Sequence, residues 1–162
     1  MDICPNRFTN AAISEFLENI SIAYIINNKT RFQIAAYQNA AETVSTYPKS
    51  VYELWQQDPK KIDQIPGIGQ GIIKKLAYLF SRNKLYPSLR PLFRRLHPAV
   101  FVFAKINGIG PKTAHLLTQN LRFSQDPSQS LNQLVDYAQK HRLRHLDRLG
   151  DRSEEQILNN TL

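Results

Sequence analysis

Apolar residues recur at three- and four-residue steps along most of the chain, the spacing that lines one face of a helix. Ile13, Phe16, Leu17 and Ile20 make the first stripe, with Thr9 or Asn10 placed to cap the helix that carries it. Ile34, Tyr37, Ala41 and Val44 make a second, closed by Pro48. Ser50 with Glu53 three residues on predicts a capping box for a short third helix through Trp55, ended by Pro59. A short helical turn, Lys60 to Gln64, then leads through Ile65-Pro66-Gly67-Ile68-Gly69 into a helix with Ile72, Ile73, Leu76, Leu79 and Phe80 on one side. The stretch Tyr86 to Pro98 contains Pro87, Pro91 and Pro98 and reads as a junction with a short helix of its own.

After the junction the unit recurs: a short helix (Ala99 to Lys105), the loop Ile106-Asn107-Gly108-Ile109-Gly110, and a helix from Pro111 to about Leu121. The repeat runs 41 residues from Gly67 to Gly108. Asp126-Pro127-Ser128 opens another helix bearing Leu131, Leu134, Val135 and Tyr137, and a last one is predicted from Ser153, with Gln156 in the capping-box position. No segment alternates apolar and polar long enough for a strand. The expected fold is all-α: two small helical subdomains, residues 1–86 and 87–162, each containing one helix, hairpin, helix unit.

The Gly-Ile-Gly loops have a mechanical reading. Glycines permit a tight turn and a close approach by another backbone. The next helix begins with unpaired N–H groups and the positive end of its dipole, so it can hold an anion. The isoleucine between the glycines plugs the two helices together. In the second loop Pro111 suits a first helical turn and Lys112 stands beside it. The expected contacts are Gly67, Ile68, Gly69, Gln70, Gly71 and Lys74 at the first loop, and Gly108, Ile109, Gly110, Pro111, Lys112 and Thr113 at the second. Phosphates held by main-chain amides imply binding that ignores base sequence and falls with salt.

Charge sharpens this. The chain carries 21 Lys and Arg against 13 Asp and Glu, a net of +8. Residues 59–122, which contain both loops, hold 12 basic side chains and one acidic (Asp63), a net of +11; residues 1–58 and 123–162 come to −2 and −1. One sign over this length argues for a phosphate-facing surface. The alternative is hairpins that meet a protein partner. Cys4 is the single cysteine and excludes an internal disulfide, and His97, His115, His141 and His145 are too scattered for a metal site. His141 and His145 read as solvated residues on a basic helix. No apolar run spans a bilayer and no signal-peptide pattern occurs, so the expectation is a cytoplasmic, nucleoid-associated or nuclear protein with no membrane partner. Arg90, Arg94 and Arg95 either extend a phosphate track or form an exposed helix face. Tyr24, Tyr47, Tyr52, Trp55 and Tyr78 follow the helix spacing and read as packing, not as base-stacking platforms.

The order Phe32-x-x-x-Ala36-Tyr37-x-x-Ala40-Ala41, then Ile65-Pro66-Gly67-Ile68-Gly69, then Asn107-Gly108-Ile109-Gly110-Pro111-Lys112-Thr113-Ala114, resembles the amino-terminal part of family X DNA polymerases. Residues from about 8 to 85 are similar to the family's lyase domain and about 90 to 160 to its DNA-gripping subdomain, with Gly150-Asp151-Arg152-Ser153 where that subdomain turns into its closing helix. No Asp-x-Asp pair occurs, so the palm's two-metal chemistry is not expected of these residues.

The resemblance implies DNA repair. It places the family's Schiff-base lysine, which attacks the sugar aldehyde at an incised abasic site, on Lys75, with Lys74 lowering its pKa and Tyr37 forming a pocket wall. It also places the family's two 5′-phosphate clamps on Gln33 and Gly71, a loss of about 1–3 kcal/mol each that Lys29, Arg31, Lys74 or Lys84 could offset. Family hairpins hold a monovalent cation, K⁺ or Na⁺, on backbone carbonyls, here those of Asp63, Ile65 and Ile68, and of Ala104, Ile106 and Ile109. The expected function is sequence-independent DNA binding at gaps, nicks or ends, with no required cofactor and room for a repair-protein partner. The alternatives are 5′-deoxyribose phosphate lyase action through Lys75, a bare phosphate contact by that lysine, and a protein-interaction domain.

Overall fold

A computed structural model describes residues 8–146 and 149–161; Cys4 and the side chains of residues 151–153 and 161 lie outside the description. The described residues form helices α1 (Asn10–Ile26), α2 (Arg31–Thr46), α3 (Val51–Gln57), a 3-10 turn (Pro59–Gln64), α4 (Gln70–Arg82), α5 (Arg90–Arg94), α6 (Ala99–Phe103), α7 (Pro111–Asn120), α8 (Pro127–Gln139) and α9 (Asp151–Thr161). There is no strand among them, and the fold is all-α.

The chain divides into two compact units between Phe93 and Arg94. The first continues past Tyr86 because Leu89 is fully buried in its core. In that unit α1 and α2 pack along each other where Ala40 and Ala41 leave room, and Ser14 Oγ donates to the buried Ala41 carbonyl at 2.8 Å. Thr9, not Asn10, caps α1, accepting from Ala12 N–H at 3.1 Å. Asn10 instead ties the loop before α3: its Nδ2 donates to the Tyr47 and Lys49 carbonyls at 3.1 and 2.8 Å, and its Oδ1 accepts from Val51 N–H at 2.9 Å. Ser50 accepts from Glu53 N–H at 3.2 Å, the hydroxyl half of the expected box. The apolar stripe of α4 (Ile72, Ile73, Leu76, Leu79, Phe80) is buried, and each such side chain contributes about 1.5–3 kcal/mol.

The second unit is built around Phe103, Leu117, Leu134 and Leu143, all fully buried. Phe123 meets the Phe103 ring edge-on at 4.8 Å and Tyr137 at 5.5 Å. Asp126 caps α8, accepting from Gln129 N–H at 3.0 Å. His141 is not on a helix: it lies just past the end of α8 with φ +54°, Nδ1 3.2 Å from a Glu154 carboxylate oxygen. Helix α9 starts at Asp151, ahead of the expected Ser153, whose side chain and capping box lie outside the described residues, and Gln156 lies beside Gly108.

Candidate functional site

The two glycine loops have the same backbone. Gly67 and Gly108 take φ +79° and +88°, values that a side chain strains, while Gly69 and Gly110 sit at φ −77° with ψ 159° and 165°. In each, the isoleucine between the glycines is buried and its N–H donates three residues back, Ile68 to Ile65 at 3.4 Å and Ile109 to Ile106 at 3.0 Å. Each loop is backed by another helix of its own unit. A Cβ on Gly67 would lie 3.1 Å from Thr43 Oγ1 of α2, and one on Gly108 would lie 2.7 Å from Gln156 Oε1 of α9. Asn160 Nδ2 also donates to the Asn107 carbonyl at 3.2 Å.

The start of α4 and α7 separates them from the other long helices. Thr9, Thr30 and Asp126 cap α1, α2 and α8 with side-chain oxygens, and Thr30 with Gln33 closes a complete capping box. The N-caps of α4 and α7 are Gly69 and Gly110, with no side-chain cap hydrogen bond, and a Cβ on either would meet nothing within 4 Å. Both helices therefore start without a side-chain acceptor from their N-cap, and the space beside each cap glycine is open.

One turn into α4, Lys75 is half-buried between two aromatic rings, its Nζ 5.8 Å from the Tyr37 centroid and 5.7 Å from that of Tyr86. The amine donates to the Gly71 carbonyl at 3.0 Å. Burial holds its pKa below the ordinary lysine value; the Tyr86 phenol works against that shift and Lys74 adds to it. Tyr37 is buried edge-on against Tyr24 at 5.1 Å, and burial with that neighbour raises its hydroxyl pKa well above the usual range, so it stays a neutral phenol.

Residues 8–85 match the profile of a helix-hairpin-helix domain. No curated protein matches the chain. The match thus covers the first loop and Lys75, while the second loop, outside it, shares the first loop's backbone geometry.

Within the matched residues, Gln33 is engaged in the α2 cap and Gly71 in accepting from Lys75, so neither supplies a cation. Lys29, Arg31, Lys74 and Lys84 are exposed. Of the carbonyls expected to hold a monovalent ion, those of Ile65 and Ile106 each accept the turn hydrogen bond and keep a second lone pair, which suits a weakly held ion in both loops. Among the described residues no cluster of His, Cys, Asp and Glu could hold a metal, and no helix is long and apolar enough to cross a membrane.

Two residues escaped the sequence reading as site candidates. Tyr86, in the junction, closes the Lys75 slot from eleven positions away, which helix spacing does not reveal. Phe32, on the first turn of α2, is 88% exposed. Its signal was present: it falls off the Ile34–Tyr37–Ala41–Val44 stripe, between the exposed Lys29 and Arg31 and the α2 body.

Proposed function

We propose that this chain grips DNA by its sugar-phosphate backbone at both hairpins, irrespective of base sequence, and acts where a strand is interrupted, at a gap, nick or end. The carrying observation is the pair of long helices that start on bare glycines while the other capped long helices use side chains. The helix-hairpin-helix match points to DNA binding in general. The exposed Phe32 ring favours an interruption, because only an unstacked base offers it a face. K⁺ or Na⁺ on the loop carbonyls would add a positive charge facing a phosphate. Fluorescence anisotropy on intact, nicked and gapped duplexes over a salt series tests this. Tighter binding to the gapped form, equal for scrambled sequences and falling linearly in log–log salt plots, is the expected result. A base preference would overturn the backbone mechanism. No binding at low salt would turn the hairpins over to a protein partner.

The Lys75 slot favours a second reading, a 5′-deoxyribose phosphate lyase. The amine adds to the sugar aldehyde and water leaves to give an imine; loss of a C2′ proton then expels the phosphate oxygen at C3′, and water hydrolyses the imine. The lowered amine pKa and the two aromatic walls support it. Borohydride reduction on an incised abasic duplex should trap a covalent adduct that Lys75→Ala lacks. A wild type that binds this DNA and gives no adduct leaves a binding module without the chemistry.

A further inference from the structure

Next to the Lys75 slot, and sharing Tyr86 with it, lies a groove of about 500 Å³ whose walls include Trp55, Pro59, Lys74, Tyr78, Tyr86 and Pro87. We propose that this groove takes up an unstacked base from single-stranded DNA adjoining the interruption, so that the preferred substrate carries a flap or overhang. The proposal rests on the DNA-binding reading above and extends it to the form of the substrate.

Three rings from three parts of the first unit converge there. Trp55 comes from α3, backed by Tyr52 at 6.1 Å and Phe80 at 5.4 Å. Tyr78 comes from α4 and Tyr86 from the junction, and these two meet edge-to-face at 5.3 Å. Tyr78 and Trp55 therefore do more than fill the core, the role their helix spacing implied. Half-exposed rings in a shallow, mostly apolar groove suit stacking, which tolerates any base because every base has a π-face.

Charge selects the kind of occupant. Lys74 lines the groove with its Nζ 5.8 Å from the Tyr86 centroid, Lys75 approaches the same ring at 5.7 Å, and Arg90 Nη2 donates to the Tyr78 hydroxyl at 3.3 Å. No carboxylate is among the wall residues. A nucleotide brings a flat apolar ring and an anionic phosphate together, which matches aromatic walls with a cationic rim. A proline-rich peptide also fits rings and prolines but gains nothing from three cations. The Trp55 indole N–H is buried without a hydrogen-bond acceptor among the described residues.

Trp55 is the chain's single tryptophan, so its fluorescence reports on this groove alone. The full chain is titrated with a gapped duplex bearing a short thymidine 5′ flap, and with the same duplex after the flap is paired, while anisotropy of a distant label reports binding. Trp55 emission should be quenched by the flap duplex and unchanged by the paired one. Tyr78→Ala should weaken flap binding about 5- to 10-fold and leave the paired duplex within about twofold. Flap DNA that binds without quenching Trp55 overturns the proposal while the hairpin reading stands, and so does a Tyr78→Ala effect equal on both duplexes. Quenching by a proline-rich peptide with none by the flap assigns the groove to a protein. Failure to bind either duplex at low salt sinks the DNA reading itself.

Discussion

The two hairpins share a backbone but diverge one turn into the helix beyond it. In register, Gly71 of the first corresponds to Lys112 of the second, Lys74 to His115 and Lys75 to Leu116. The first hairpin thus leads to an amine between two rings, whereas the second leads to an apolar side chain and carries its lysine in the first turn instead. His115, where the first hairpin has Lys74, is held below the ordinary histidine pKa by burial and is neutral at neutral pH. Under the function proposed above, one loop geometry would serve two ends: the backbone would supply the phosphate contact, and a side chain further into the helix would decide whether reaction accompanies it. The backing differs too, α2 behind the first loop and α9 behind the second.

The sharpest break of that comparison is Lys75→Ala, which should abolish borohydride trapping while anisotropy on gapped DNA changes by less than about threefold. Trapping by the wild type should rise with pH and level off below the ordinary lysine range, because the folded amine loses its proton early. A smaller effect is expected from Glu154→Gln, directed at the second hairpin alone. Glu154 accepts from the N–H groups of Leu143 and Arg144 at 2.8 and 2.9 Å and from Arg144 Nε at 3.0 Å, and so pins α9. Burial alone would raise its pKa, but these donors and His141 outweigh burial and hold it below the ordinary carboxylate value. Its stabilisation is therefore complete above that ordinary value and is lost as pH falls through the lowered one. The variant should lose about 2–3 kcal/mol at pH 7 in denaturant titrations, with a gap from wild type that closes in acid.

Gly67→Ala and Gly108→Ala should each cost about 1–2 kcal/mol from the positive φ alone. The Gln156 side-chain end can swing away from a new methyl, so equal costs would show that the two turns are energetically alike; a far larger cost at Gly108 would mean that α9 is clamped rigidly on it. The least change belongs to Lys112→Ala: binding weakened by about 1 kcal/mol on all sequences alike, with the salt slope reduced by about one unit.

The helices and both loops were legible because their signals are local: stripes at helical spacing, glycines flanking an isoleucine, Thr9 and Asp126 ahead of apolar runs. Lys75 was legible only through resemblance, and its slot was half-seen. Tyr37 lay in a recognisable block, but Tyr86 closes the slot through the packing of the junction, which no periodicity encodes. Gln33 read as a position without a cation, which it is, but its local role was missed: with Thr30 it closes the capping box that starts α2. His141 was misplaced on a helix because its positive φ, which breaks α8 from the next turn, has no glycine to announce it.

The bare starts of α4 and α7 also have a thermodynamic consequence. A glycine in place of a side-chain cap leaves a helix short by about a few tenths of a kcal/mol, and α4 and α7 each start on one. Any anion that supplies those acceptors binds the native ensemble and has no such site on the unfolded chain, so it draws the folding equilibrium with it by mass action. If the proposed grip holds, the melting temperature should climb with oligonucleotide concentration, since a phosphate would then complete the two helix starts left open.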